Sequence, residues 1–263
     1  MKPLSIGNVV SAGLRIYRDN FKKYFKLAFI GYLWIFVPIY GWAKYSAMMG
    51  LLGRLAYGEV AEQPEAVKDA QRHIKPKMWD FFVAGLIVGL ILFGAIIPFS
   101  IVFSIIGAVA GGILGDAGSV IGVILAILGI LLFIFGIIWL ISRLFLVELP
   151  LAVEDNITAT STISRSWDLT KGSVGRIQLI VLIAFLISLP IFIVTNVVSV
   201  ILQGIIAIGA ENIPGLAFIS VILSLVIAIA SGALMIPFWQ SIKAVIYHDL
   251  RVRREGIGIN LRK

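Results

Sequence analysis

The chain has no cysteine, only two histidines, and charged side chains at just 14% of its 263 positions. Without thiols there is neither a disulfide frame nor a thiolate metal or redox site. Charge is missing in blocks: residues 81–115, 117–142, 177–210 and 212–242 contain no Asp, Glu, Lys or Arg. Soluble domains carry about a quarter charged residues, and no soluble fold of this length could bury a chain that is 60% hydrophobic. Each uncharged block exceeds the ~20 helical residues needed to cross a ~30 Å hydrocarbon core. The period-two alternation of an outer-membrane barrel strand is also absent. What remains is an all-α integral membrane protein. The opening MKPLSIGNVVSAGLRIYRDNF lacks the compact apolar core and A-x-A-like site of a cleavable signal, so the first spanning helix is expected to target the chain.

The basic residues fall into four clusters, Lys2–Lys26, Arg54–Lys77, Arg143–Arg176 and Lys243–Lys263, and only Lys44 lies outside them. The connectors GGILGDAGS (111–119) and GAENIPG (209–215) carry only Asp116 and Glu211. By the positive-inside rule the clusters, and with them both termini, are cytoplasmic and the connectors are not. The formal charge of +8 then reflects topology and attraction to anionic lipid heads. Nucleic acid is a poor partner, because no soluble domain presents the basic residues.

Cytoplasmic clusters on both sides of residues 24–57 require that segment to enter the membrane and return. Each leg is only ~25 Å of helix, so this hairpin is short enough to be re-entrant, with its break at Val37-Pro38-Ile39-Tyr40-Gly41. One long tilted helix is the competing arrangement. In all, about six hydrophobic helices are expected as three hairpins. Each is preceded by an amphipathic interfacial segment, at 11–23, 64–79 and 159–172. On the first, Val10, Leu14, Tyr17 and Phe21 share a face; on the third, Ile163, Trp167 and Thr170 do so, and Lys171-Gly172 ends the helix. The hairpins share features in register. Val37-Pro38, Ile97-Pro98 and Leu189-Pro190 mark the first helices, and Trp139/Arg143/Glu154 and Trp239/Lys243/Glu255 follow the second, with Trp42 and Glu59 as an echo. Three pseudo-repeats follow, at about 5–57, 60–150 and 157–250, with 251–263 as a basic cytoplasmic tail.

The stretch Arg143–Lys171, with Glu154-Asp155, Ser166-Trp167 and Lys171-Gly172 in place, resembles a family of bacterial polytopic membrane proteins. That family includes the membrane domain of glycerophosphoryl diester phosphodiesterase. The C-terminal PFWQSIKAVIYHDLRVRREG is similar to the family's closing helix at Pro237, Tyr247, Asp249 and Leu250. The likeness runs from about residue 5 to 256, with a first hairpin shorter than usual. It implies a multi-pass protein of a bacterial cytoplasmic or internal membrane. The phosphodiesterase activity does not carry over, because in such enzymes it belongs to a separate soluble barrel. Metal-assisted cleavage needs clustered His and carboxylates, whereas His73 and His248 stand in different interfacial segments as surface residues. No cofactor, metal site or catalytic residue is expected.

Two constellations are candidates for function. The first, Arg143, Glu148, Glu154, Trp167, Trp239, Lys243 and Asp249 with Gln240 beside them, lies where spans leave the membrane. It reads either as snorkelling cations with Trp anchors or as a headgroup or partner-docking site. The second, Ser100, Ser104, Asn196, Ser199, Gln203 and Ser224 with Ser220 and Ser231, reads as helix–helix glue or as an intramembrane polar cavity. The leading functional expectation is a non-enzymatic protein that associates with lipids, or organises a partner protein or a second copy, through its basic cytoplasmic belt. The alternative is a passive transporter, channel or lipid-translocating protein using the polar faces. An intramembrane enzyme ranks third, because no Ser/His or paired-carboxylate arrangement falls within a span.

Overall fold

The computed structural model describes residues 4–113, 115–210 and 215–256. In chain order its helices are α1 (Ile6–Asp19), α2 (Phe21–Leu33), α3 (Tyr40–Val60), α4 (Val67–Ile74), α5 (Met78–Ile113), α6 (Gly115–Leu144), α7 (Glu148–Val153), α8 (Ser161–Thr170), α9 (Val174–Ala210) and α10 (Gly215–Glu255). There is no strand among the described residues. Four helices, those running through α5, α6, α9 and α10, are long and apolar enough to cross a membrane. The chain is therefore an all-α, multi-pass membrane protein. The Asp116 side chain, Glu211 and the tail beyond residue 256 lie outside the described residues.

Proline acts differently at its three register positions. Before Pro38 the chain leaves α2 through a 3-10 turn at Trp34–Phe36, and Val37 is extended (φ −99°, ψ 107°), the conformation a following proline imposes. Ile39 then takes a positive φ of 59°, and α3 returns to pack against α2. Pro98 and Pro190 instead sit inside continuous α5 and α9, as Pro237 does inside α10. Long apolar helices tolerate such interruptions when neighbouring groups re-satisfy the freed carbonyls.

Helix α10 is the axis of the molecule, and α1, α2, α3 and α9 all pack on it. At Gly13 an added Cβ would stand 3.2 Å from the Ile242 Cα, so only glycine lets α1 approach α10 this closely. The core is concentrated at one end. It joins Leu51, Leu52 and Leu55 of α3, Leu149 and Leu151 of α7, Ile177 and Ile180 of α9, and Ile242, Val245 and Leu250 of α10. Away from this head, α5, α6, α9 and α10 carry exposed Leu, Ile, Val and Phe along their length, Leu132 at 72% and Phe218 at 70%. Soluble monomers do not present apolar faces of this extent; in hydrocarbon they are solvated.

The short helices bury narrower faces than their sequences suggest. On α1 the buried positions are Val9, Val10, Gly13 and Ile16, whereas Leu14 faces outward at 39% exposure, as does Phe21 at the start of α2 at 38%. On α8 the buried face is largely hydroxylated: Thr162, Ser166, Leu169 and Thr170. The end of α6 explains this. The last carbonyls of a helix have no partner within it. Ser166 Oγ donates to the Arg143 carbonyl at 2.8 Å and Thr162 Oγ1 to the Val147 carbonyl at 2.5 Å. Gly172, at φ 72°, closes α8 as its sequence indicated.

Candidate functional site

The seven residues of the interfacial constellation all lie at the packed end, but they divide among separate networks. Arg143, in the last turn of α6, is enclosed at 6% exposure. Its guanidinium lies 4.4 Å from the Trp167 ring centre and 5.7 Å from that of Trp139, and the two indoles meet edge-on at 5.4 Å. Nη1 donates to Thr170 Oγ1 at 3.3 Å. A planar cation suits this slot, which a compact ammonium would fill poorly.

Glu148 opens α7 and accepts from Gln240 Nε2 at 2.6 Å and from Lys243 Nζ at 3.2 Å. Lys243 also lies 5.3 Å from the Phe145 ring centre, against which Trp239 packs edge-on. Glu148 and Lys243 line a cavity of about 240 Å³ with Tyr45, Ser46 and the apolar faces of α5 and α6.

Glu154, after α7, accepts two bonds from Arg165 Nε at 3.0 and 3.1 Å and one from the Tyr247 hydroxyl. Arg165 continues to Glu255, which also accepts from Arg251 at 2.9 Å. Burial works against the Arg165 cation, but the bonds to Glu154 and Glu255 outweigh it and hold its pKa above the usual arginine value. Asp249, only 5% exposed, takes Arg176 at 2.6 Å, Arg253 at 2.8 Å and the Leu4 amide at 3.2 Å. The starts of α1 and α9 are thereby clamped to α10. Lys77 donates to the carbonyls of Leu151 and Glu154, at 3.2 and 2.8 Å, where α7 ends. There a cation complements the helix dipole. Arg54 completes the set, on Glu65 at 2.6 Å and the Ala152 carbonyl at 2.8 Å.

Sequence reasoning set Glu148 beside Arg143 and Glu154, and Lys243 beside Gln240 and Asp249, but it missed Arg165, Arg176 and Arg251, the cations that bind Glu154 and Asp249. Arg176 lies 73 positions from Asp249 and Arg251 lies 97 from Glu154, beyond the reach of any local spacing rule, and Arg165 lies 11 from Glu154 across the break between α7 and α8. The signal that was present lay in Glu154 and Glu255, matching positions of two sequence units, which share Arg165 and Arg251. His73 contacts Lys77 Nζ at 3.3 Å, and the His248 ring lies tilted at 55° to that of Tyr57 with 5.9 Å between centres.

The second constellation is not brought together. Ser100 and Ser104 belong to the α5–α6 pair, and the hydroxyls donate to the Ile97 and Ser100 carbonyls of their own helix. On α9, Asn196 and Ser199 likewise donate to Phe192 and Thr195. Gln203 is exposed and Ser224, on α10, is half-buried. Ser100, Ser104, Asn196 and Ser199 thus spend their donors within their own helices.

The family model for the membrane domain of glycerophosphoryl diester phosphodiesterase matches residues 120–256. That stretch is just over half of the chain and holds most of α6 and all of α7 to α10, with Glu148, Glu154, Asp249 and their side-chain partners. The chain belongs to this family. No curated protein and no solved structure matches it. The matched membrane domain contributes the axis α10 and the hydroxylated α8, whereas α1 to α5 add the Leu51–Leu55 half of the core.

Proposed function

We propose that this membrane-domain protein is a non-enzymatic bilayer component whose packed head lies at the cytoplasmic surface and gathers anionic lipids. One observation carries the reading: interior and exterior cations have different fates. Arg54, Lys77, Arg143, Arg165, Arg176, Lys243 and Arg251 are consumed by carboxylates, carbonyls or indoles of the chain itself. Arg15, Lys22, Lys26, Lys68, Lys75 and Lys171 are exposed and make no ion pair among the described residues. They are the belt, in place of Arg143 and Lys243. Near an anionic surface each is worth about 1 kcal/mol, and exposed Leu14 and Phe21 beside Arg15 and Lys22 suit the headgroup boundary.

In this reading the hairpins number three and both termini are cytoplasmic. The α2–α3 hairpin is re-entrant, because Tyr32 packs on Gly232, about 16 Å along α10 from Lys243, and the turn follows within a few residues. The order of short helix then helix pair, as α1/α2–α3, α4/α5–α6 and α8/α9–α10, supports the three pseudo-repeats.

The test is lipid enrichment around the full chain in polymer-bounded native discs. Anionic phospholipid should exceed its share in the parent membrane, and an R15Q/K22Q/K26Q variant should lose much of that excess. Equal composition in disc and membrane would overturn the reading.

A further inference from the structure

Lys44 is the one basic residue outside the four sequence clusters, and its surroundings are unlike those of the other cations. It stands on α3, ten residues above Arg54 toward the hairpin turn, or about 15 Å. Its ammonium lies 3.6 Å from the Trp34 ring centre and 5.8 Å from that of Tyr40. No carboxylate pairs with it among the described residues. An ammonium at this depth needs an anion or water, and an intramembrane ionisable residue marks a functional site by default. Lys44 opens into a groove of about 440 Å³ between α3 and the α4–α5 junction. Ala47, Met48, Leu51, Ile74 and Met78 give that groove an apolar floor. Gln71 and Lys75 stand at its cytoplasmic mouth, and Lys75 too has no carboxylate partner among the described residues. Half-exposed Trp79 flanks its mouth with an amphipathic ring of the kind that sits at headgroup level, and Tyr40 borders its deep end near the hairpin turn.

We infer that this groove holds one anionic phospholipid of the cytoplasmic leaflet, drawn in past Lys75 so that its phosphate meets Lys44 below the leaflet surface. The groove carries two cations and no acid, so the charge complement is a phosphate ester. Its apolar floor is lipid-like, and its wall is a helix pair already inside the bilayer. The lipid's phosphate supplies the counter-charge that Trp34 alone cannot.

This assignment rests on the anionic-lipid reading above, and the experiment separates the two. Dioleoylphosphatidylglycerol or dioleoylphosphatidylcholine is titrated into the delipidated full chain in detergent, and bound lipids are counted by native mass spectrometry. The first phosphatidylglycerol should bind about tenfold more tightly than phosphatidylcholine. K44Q/K75Q should erase that difference, and K75Q alone, at an exposed position, should reduce it about threefold. Brominated-chain phosphatidylglycerol should quench a component of the fluorescence that is missing in W79F. If K44Q/K75Q keeps the preference while R15Q/K22Q/K26Q loses it, the groove is overturned and the belt stands. If the wild-type chain shows no preference at all, both fall.

Discussion

Glu154 is the residue on which most of the head converges. Its carboxylate receives Arg165 and Tyr247, with Arg251 at 3.8 Å, so it ties the end of α7 to α8 and α10 at once. Replacing it with Gln keeps the shape and removes the charge. Hydrogen bonds to charged groups are worth about 1.5–3 kcal/mol each, and Arg165 retains Glu255 as a partial substitute. E154Q is expected to destabilise the head by about 2 kcal/mol, read as an earlier thermal transition of the solubilised protein. E255Q, at a more exposed position, should cost less; equal melting of E154Q and wild type would remove Glu154 from this role. What the sequence told at this scale was uneven. Acids and Trp anchors stood out because they interrupt apolar runs. Their arginine partners did not, since nothing local joins Arg176 to Asp249 across 73 positions.

At the level of the element, α8 explains why the family stretch matters structurally. It is neither a plain amphipathic cylinder nor a surface float. Its hydroxyls close the carbonyls left open at Arg143, in the last turn of α6, and at Val147, in the turn before α7. An S166A/T162V double substitution takes the hydroxyl partner from the Val147 carbonyl and leaves the Arg143 carbonyl only Thr170 Oγ1 at 3.5 Å, which should cost about 1–3 kcal/mol per carbonyl. The change should appear as faster hydrogen exchange in residues 161–170 while α9 and α10 stay protected; unchanged exchange in α8 would show the caps to be dispensable. Element boundaries were well marked where charge vanished, at 81–115 and 177–210, because a long uncharged run admits one physical solution. The turn at Val37–Ile39 was equally plain. Helix faces were not: the pattern Val10, Leu14, Tyr17, Phe21 pointed to one stripe, but α1 buries Val9, Val10, Gly13 and Ile16 with Leu14 outward, and the break at Asn20 puts Phe21 on α2. Prolines 98 and 190 matched Pro38 in sequence yet leave α5 and α9 unbroken.

The whole molecule is a multi-pass membrane protein with its core and ion pairs gathered at one end and long apolar helices exposed beyond it. The absence of cysteine makes the most direct test simple: single cysteines introduced at Ser11, Ile39, Asp116 and Arg254, with a membrane-impermeant maleimide added from either side of sealed vesicles. Ser11 and Arg254 should label from the cytoplasmic side and Asp116 from the opposite side only. Ile39, at the turn between α2 and α3, should label from neither until detergent is added. Labelling of Ser11 and Arg254 from opposite sides, or of Ile39 together with Asp116, would contradict the account.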